Sequence, residues 1–272
     1  MSLTESTVEE AARDWFGGLG YAIRHGAELA PGEPNAERAS FADVVLVGRL
    51  RDAIRQLNPL VPADAREEAL RKVLRIATPS FPQTNRLSHQ MLREGVQVEY
   101  ARRDGSIAGD QVKLIDFDDS TRNDWLAADQ FTVIEAGHNR RPDIVIFVNG
   151  LPLGAIELKN AADESATIWS AYAQLQTYKA EIPSLLQYNA VLVISDSTIA
   201  RIGSLTANQE WFKVWRTIES VSDAPKSDIG LEVLVRGVFE EDPDTGALHK
   251  IIAGYHQFHA VNVAVEETVP AR

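Results

Sequence analysis

Cysteine is absent from this 272-residue chain. Thiolate zinc sites, cysteine nucleophiles and iron–sulfur clusters are therefore excluded, and any metal must be held by oxygen or imidazole ligands. That restriction favours Mg²⁺ or Mn²⁺. Apolar runs long enough to span a bilayer are also missing, and the first residues lack the basic flank and apolar stretch of a secretory signal. We expect a water-soluble, cytoplasmic protein.

Positive charge is scarce, since 27 Lys and Arg face 39 Asp and Glu and leave a formal net charge of −12 at pH 7. A protein that binds DNA unaided usually has a basic face that releases counterions from the phosphates. The acidic balance therefore argues against such a protein, unless cations cluster locally or partner chains hold the DNA. One small local cluster exists, formed by Arg140, Arg141 and Lys159.

Hydrophobic periodicity predicts an α/β fold. Helical spacing marks a first helix that starts with the capping-box sequence at residues 6–9, two or three helices within residues 40–76, and a helix over residues 165–180. Short strand-like runs lie at residues 96–100, 112–117, 131–134, 144–148, 153–158 and 190–195. The first two of these runs are predicted to form a β-hairpin. The whole pattern predicts a mixed central β-sheet flanked by helices.

Composition places a domain boundary near residue 220. A polar stretch at residues 222–228 separates the strand-rich region from a new apolar segment. Residues 250–266 have helical spacing, and the sequence after them is too short to form a further domain. We therefore expect one domain over residues 1–220 and the beginning of another over residues 221–272.

Charged residues at the ends of two apolar strands form the sharpest chemical pattern. Asp143 precedes one strand, an Asn149-Gly150 turn follows it, and the second strand ends at Glu157 and Lys159. Because side chains alternate along a strand, Glu157 and Lys159 point to the same face. Both strands are otherwise apolar, so charges there are costly unless they are paired or bound to metal.

Phosphodiester hydrolysis is one chemistry that uses such a group. Two carboxylates can hold a divalent cation that polarises a phosphate and lowers the pKa of an attacking water, while the lysine orients that water or stabilises developing charge. The alternative is structural: Asp143 begins a turn, and Glu157 and Lys159 are solvent-screened charges at the rim of the sheet.

Strand register tests these two interpretations. A regular two-residue turn at Asn149-Gly150 would pair Val148 with Leu151 and place Asp143 opposite Ile156. Asp143 and Glu157 would then face opposite sides of the sheet and could not share a cation. The metal-site hypothesis therefore requires an odd-length loop or a one-residue β-bulge between the two strands.

The segments around these charges resemble a known family. Residues 141–153 (RPDIVIFVNGLPL) and 156–160 (IELKN), followed by a Gln-x-x-x-Tyr element at Gln174 and Tyr178, resemble the nuclease domain of the restriction subunit of type I restriction-modification enzymes. The resemblance spans most of the chain. It implies a PD-(D/E)xK endonuclease fold with Asp143, Glu157 and Lys159 as the catalytic triad. It also implies a Mg²⁺ or Mn²⁺ ion held by Asp143, Glu157 and the backbone carbonyl of Leu158.

Further site residues follow from the resemblance. Gln174 and Tyr178, four residues apart on one helix face, would line the DNA or the catalytic pocket together with Arg141, although such a Tyr can also simply bridge core and solvent. Glu9 is either an additional acidic residue near the metal or a partner of Ser6 in the capping box. The histidines are expected in surface or packing roles.

The end of the chain resembles the segment that opens the ATP-driven motor of these subunits. Gln257 matches a glutamine that contacts adenine there. No GxxxxGK motif followed by Ser or Thr occurs, so the chain cannot be an ATPase by itself and ATP would bind only the full-length subunit. Residues 221–272 are thus interpreted as a linker and the start of a truncated motor domain.

The resemblance implies an endonuclease domain that hydrolyses unmodified double-stranded DNA at non-specific positions. Sequence choice and methylation would belong to partner specificity and methyltransferase subunits. Two alternatives remain open. One is a repair or junction-cleaving nuclease of the same fold, and the other is a catalytically silent docking module that couples the motor to the methyltransferase.

Overall fold

The computed structural model describes residues 5–102, 104–160, 167–196, 199–214 and 238–252. Within these ranges the α-helices are α1 (Glu5–Gly18), α2 (Val47–Leu57), α3 (Ala63–Leu74), α4 (Phe81–Glu94), α5 (Ile168–Glu181) and α6 (Pro183–Leu186). The β-strands are β1 (Ala22–His25), β2 (Val96–Ala101), β3 (Ile107–Val112), β4 (Trp125–Asp129), β5 (Val133–Glu135), β6 (His138–Arg140), β7 (Ile144–Val148), β8 (Leu151–Leu158), β9 (Val191–Ser195), β10 (Ala200–Gly203), β11 (Val238–Glu241) and β12 (Leu248–Ile251). The predicted α/β class is confirmed.

A six-stranded sheet in the order β1-β4-β7-β8-β9-β10 forms the centre of the protein. The β1–β4 and β8–β9 pairs are parallel, whereas β4–β7, β7–β8 and β9–β10 are antiparallel. The sheet is therefore mixed, as predicted. In the part of the chain that the structure describes, no helix is both long and apolar enough to cross a membrane.

Helices cover both faces of this sheet. Leu175 of α5 packs in the larger core cluster with Val145 of β7, and Ala12 of α1 packs in a smaller cluster with Ile144, the preceding residue of β7. Every residue of β8 is buried. This explains why β7 and β8 are almost wholly apolar sequences: a strand covered on both faces has no solvent side on which to place polar residues.

The predicted Asn149-Gly150 turn joins β7 and β8. Both residues have positive φ, 53° at Asn149 and 79° at Gly150, as a type I′ hairpin turn requires. A Cβ atom at residue 150 would lie 2.5 Å from the carbonyl oxygen of Leu46, so only glycine fits. Asn149 is fully buried, and its Nδ2 donates to the carbonyl of Leu114 at 2.8 Å.

Two of the predicted strands are shifted. The hairpin partner of β2 is Ile107–Val112 rather than residues 112–117. Leu114 and Ile115 are buried in the core but belong to an irregular segment, and the Asp116 side chain caps the turn that follows. The strand predicted at residues 131–134 is Val133–Glu135. Phe131 instead places a buried ring against Phe147.

A separate hairpin, β11–β12, is fixed to the core by a buried lysine. Lys250 is 2% exposed, and its Nζ lies 2.9 Å from His89 Nε2 and from the carbonyl oxygens of Asn189 and Ala190. Burial lowers the pKa of Lys250 well below its ordinary value. Residues 250 and 251 therefore belong to a strand, not to the helix predicted over residues 250–266. The remainder of that predicted helix and the boundary near residue 220 lie outside the described residues.

Candidate functional site

A β-bulge brings the two carboxylates to the same face of the sheet. The turn pairs Val148 with Leu151 and Phe147 with Pro152, but the next pair is Ile146 with Gly154, which leaves Leu153 as the extra residue. The register then continues to Ile144 opposite Ile156. Asp143 and Glu157 are therefore the next opposed pair and point to one face. The bulge that the metal-site hypothesis required is confirmed.

Asp143 is held against the backbone of β8. Its side chain is buried, and Oδ2 accepts a hydrogen bond of 2.7 Å from the amide of Leu158. Its own carbonyl accepts from the amide of Gln130 at 2.9 Å. Asp143 therefore does more than begin a turn, because its carboxylate is fixed beside the residue that follows Glu157.

Glu157 is fully buried and held by two side chains. Lys159 Nζ donates to Oε1 at 3.0 Å, and the Tyr178 hydroxyl donates to Oε2 at 3.0 Å. Burial, together with the negative charge of Asp143, raises the pKa of Glu157 to about 8, although Lys159 and Tyr178 favour the ionised form. The rim-charge interpretation therefore does not hold for Glu157.

Lys159 lies on the same face as Glu157, as strand alternation predicted. Its side chain is mostly buried, and its amide donates to the carbonyl of Ser195 at 2.8 Å, so its backbone is held by β9. A lysine held in this way presents its ammonium group at a defined place beside the two carboxylates.

The predicted Gln174 and Tyr178 pair forms a hydrogen-bond chain to Glu157. Gln174 Nε2 donates to the Tyr178 hydroxyl at 2.6 Å, and that hydroxyl donates in turn to Glu157. Tyr178 is 1% exposed, so it does not bridge core and solvent. Burial, together with the charge of Glu157, raises the pKa of Tyr178, which keeps the hydroxyl protonated as a donor.

Glu9 is connected to the site through a residue that the sequence did not single out. Gln130 Nε2 donates to Glu9 Oε2 at 2.8 Å, and the amide of Gln130 binds the Asp143 carbonyl. Gln130 has a φ of 53°, a left-handed conformation that costs a non-glycine residue about 1 kcal/mol. Helix α1 begins at Glu5, so Ser6 lies within the helix rather than before it.

The local cluster of positive charge is largely neutralised. Arg140 forms an ion pair with Glu181, and Lys159 forms one with Glu157. Arg141 is exposed at the residue before Pro142 and remains a candidate for substrate contact. Gln257 lies outside the described residues.

Oxygen atoms form the candidate donor set for a metal. Among the described residues, no group of three or more His, Asp and Glu side chains is arranged to hold a metal ion. The site thus offers the two carboxylates of Asp143 and Glu157. Hard oxygen donors with excess negative charge suit Mg²⁺, which usually takes only one or two protein carboxylates and keeps several waters.

Comparisons with known proteins agree on one family. The family model described as "Type I restriction enzyme R protein N terminus" matches residues 2–211. The HindI endonuclease subunit of a type I restriction enzyme from Haemophilus influenzae is 34% identical over 98% of this chain and 27% of its own length. A putative type I MjaIXP endonuclease subunit from Methanocaldococcus jannaschii is 33% identical over 96% of this chain and 27% of its own length. The chain spans about a quarter of the length of these curated relatives.

Proposed function

This chain belongs to the family of type I restriction enzyme R protein N-terminal regions, and from that premise we propose that it is the DNA-cleaving domain of such an enzyme. The proposed fold is PD-(D/E)xK, and the proposed reaction is Mg²⁺-dependent hydrolysis of double-stranded DNA at non-specific positions. A nuclease subunit rather than a repair enzyme is favoured because the similarity to the curated endonuclease subunits covers nearly the whole chain.

The bulge at Leu153 is the observation that carries this proposal. Regular pairing would need no extra residue and would bury Glu157 on the face opposite Asp143. The extra residue instead places two carboxylates side by side, with Lys159 next to them. Burying like charges together costs stability, and such an arrangement is characteristic of functional sites.

The two carboxylates fit a divalent cation. Asp143 and Glu157 would hold it, with the backbone carbonyl of Leu158 as a further ligand. Bound Mg²⁺ polarises a phosphate and makes a coordinated water more acidic. The charge of such an ion would also favour ionised Glu157, whose pKa burial otherwise raises to about 8.

The surrounding side chains would then act as follows. Lys159, 3.0 Å from Glu157, orients the attacking water or stabilises charge that develops on the phosphate. Tyr178 keeps Glu157 in one rotamer, and Gln174 fixes the Tyr178 hydroxyl. Both act through Glu157, so they are positioning residues for the proposed reaction.

Sequence recognition and methylation are proposed to reside in partner specificity and methyltransferase subunits. ATP use is proposed for the remainder of the full-length subunit, because this sequence has no GxxxxGK motif followed by Ser or Thr and the curated relatives extend far beyond it. This division fits the net charge of −12, which gives the chain little long-range attraction for DNA of its own.

Metal binding tests the donor set directly. Asp143→Ala should abolish Mn²⁺ binding in a calorimetric titration, because one of the two carboxylates is lost. Glu181→Ala is a suitable control, since that carboxylate pairs with Arg140 and should leave Mn²⁺ binding unchanged. Equal binding by wild type and Asp143→Ala would show that the metal, if any, binds elsewhere.

This chain alone is expected to bind DNA weakly and to cleave it slowly. Of the three positive groups nearest the site, Lys159 is paired with Glu157 and Arg140 with Glu181, and Arg141 attracts phosphate against the field of an acidic protein. Without partners that hold the DNA at the site, the encounter stays bimolecular and slow. Gel shifts and plasmid cleavage at low and physiological salt, with and without the full-length assembly and ATP, measure the difference. Tight, salt-resistant binding and rapid cleavage by the chain alone would instead indicate a self-sufficient nuclease.

A further inference from the structure

A second polar cluster lies on the other face of the sheet, close to the candidate site. Asp129, at the end of β4, is 4% exposed and contacts an arginine and a histidine side chain. Arg13 Nη1 of α1 lies 3.1 Å from Oδ2, and His25 Nδ1 of β1 lies 2.9 Å from Oδ1. Each carboxylate oxygen of Asp129 therefore orients one side chain, and both of those side chains are partly exposed.

Strand register locates the cluster of Arg13, His25 and Asp129, called the Asp129 cluster below. His25 pairs with Asp129, and Asp129 pairs with Ile144, the residue after Asp143. Neighbouring strands lie about 4.8 Å apart, so His25 lies about 10 Å across the sheet from β7. Asp129 points to the α1 face and Asp143 to the α5 face, but both lie at the same end of their neighbouring strands.

We propose that Arg13 and His25, oriented by Asp129, form a binding site for a backbone phosphate of the DNA a few nucleotides away from the cleaved bond. This inference rests on the proposed nuclease function and extends it to a residue-level substrate contact. Phosphates follow one another every 3.4 Å or so of axis along one strand. Because the two groups of side chains also point to opposite faces of the sheet, the two sites are more than about 10 Å apart, which DNA spans within a few nucleotides at this spacing.

The chemistry of the Asp129 cluster suits a phosphate. Arg13 uses one N–H on Asp129 and has further N–H donors in its planar guanidinium, the group that binds phosphate best. His25 contacts Asp129 through Nδ1, so Nε2 is the ring atom that can face a phosphate, and it donates to the phosphate when the ring carries both protons. The negative charge of Asp129 is buried behind both groups, so it orients the two donors without facing the ligand.

Arg13→Gln in the full-length subunit tests the contact. The probe is a short fluorescent DNA duplex, and binding is followed by anisotropy over a salt series with Ca²⁺ in place of Mg²⁺. We expect roughly fivefold weaker binding, and a slope of log affinity against log salt that falls by about one, as expected for one lost phosphate contact. Arg13→Lys should restore most of the slope, because a lysine keeps the charge.

Two variants separate a specific contact from general electrostatics. Arg24→Gln removes an exposed arginine whose guanidinium donates to the Ile23 carbonyl, and it should leave the slope unchanged. Asp129→Asn removes a negative charge, so general electrostatics predicts tighter DNA binding. If Asp129 instead orients Arg13 and His25 towards the phosphate, the same change weakens DNA binding. Tighter binding by Asp129→Asn, an unchanged slope with Arg13→Gln, or an equal loss with Arg24→Gln would each overturn the proposal.

The DNA-binding measurements test the phosphate contact separately from the proposed catalytic site. Asp143→Asn is expected to abolish cleavage by the assembled enzyme and to leave the salt slope of DNA binding intact. If Asp143→Asn still cleaves, the proposed catalytic site is wrong, whereas the binding data continue to decide whether Arg13, His25 and Asp129 contact phosphate.

Discussion

Glu157→Ala is expected to lower DNA cleavage by the complete enzyme by roughly a thousandfold or more, the loss typical when a metal-binding catalytic carboxylate is removed. The change removes a proposed oxygen ligand of the metal and the carboxylate to which Lys159 and Tyr178 donate. The assay is cleavage of an unmodified plasmid by the full-length subunit with its proposed partner subunits and ATP.

ATP hydrolysis in the same reactions shows whether the variant enzyme assembles and engages DNA. It should continue at the wild-type rate, because Glu157 lies in the nuclease region and the chain contains no phosphate-binding GxxxxGK motif. Glu181→Ala, which removes a carboxylate at the end of α5 that is paired with Arg140, is the matched control. Undiminished cleavage by Glu157→Ala would refute the nuclease assignment and favour a catalytically silent docking module.

Glu157→Gln is expected to stabilise the metal-free protein at alkaline pH. The pKa of Glu157 is raised from 4.5 to about 8 in the folded protein, so the fold binds this proton more tightly than the unfolded chain does. The contribution of this proton to the free energy of unfolding is fully present below about pH 4.5 and is lost as the pH rises through about 8. One pKa unit corresponds to about 1.4 kcal/mol, so the loss is on the order of 5 kcal/mol.

Scanning calorimetry at pH 5 and pH 9 measures this effect. Wild type and Glu157→Gln should unfold at similar temperatures at pH 5, and the variant should unfold several degrees higher at pH 9. In Glu157→Gln, the new side-chain amide can donate to the Tyr178 hydroxyl. That hydroxyl then donates to Gln174, whose side-chain amide rotates to present its oxygen. Addition of Mg²⁺ should raise the unfolding temperature of wild type more than that of the variant. Identical pH dependence of both proteins would show that Glu157 does not titrate in this range.

Strands covered on both faces were the elements that the sequence predicted best. The bounds of β7 agree with the predicted run, because double burial produces an unbroken apolar sequence between turn residues. Helix α4 was not predicted. Four of its five buried positions, Thr84, Asn85, Ser88 and His89, are polar, so the face that it buries is not marked by a continuous apolar stripe.

The candidate site was predictable only in part. Asp143, Glu157 and Lys159 are close in sequence, and alternation along β8 required Glu157 and Lys159 to share a face. The need for a bulge followed from the same reasoning, but its position at Leu153 did not. Contacts between Glu9 and Gln130, or between His25 and Asp129, join residues more than a hundred positions apart. Local patterns contain no information about such contacts.

The buried side chain of Lys250 has a practical consequence for dividing the chain into fragments. A fragment that ends at the predicted boundary near residue 220 would lose β12, and with it the Nζ donor that binds the carbonyls of Asn189 and Ala190. Those oxygens would be left with one donor fewer at the start of β9, the strand that holds the backbone of Lys159. Expression fragments intended to fold and crystallise should therefore extend past Ile251.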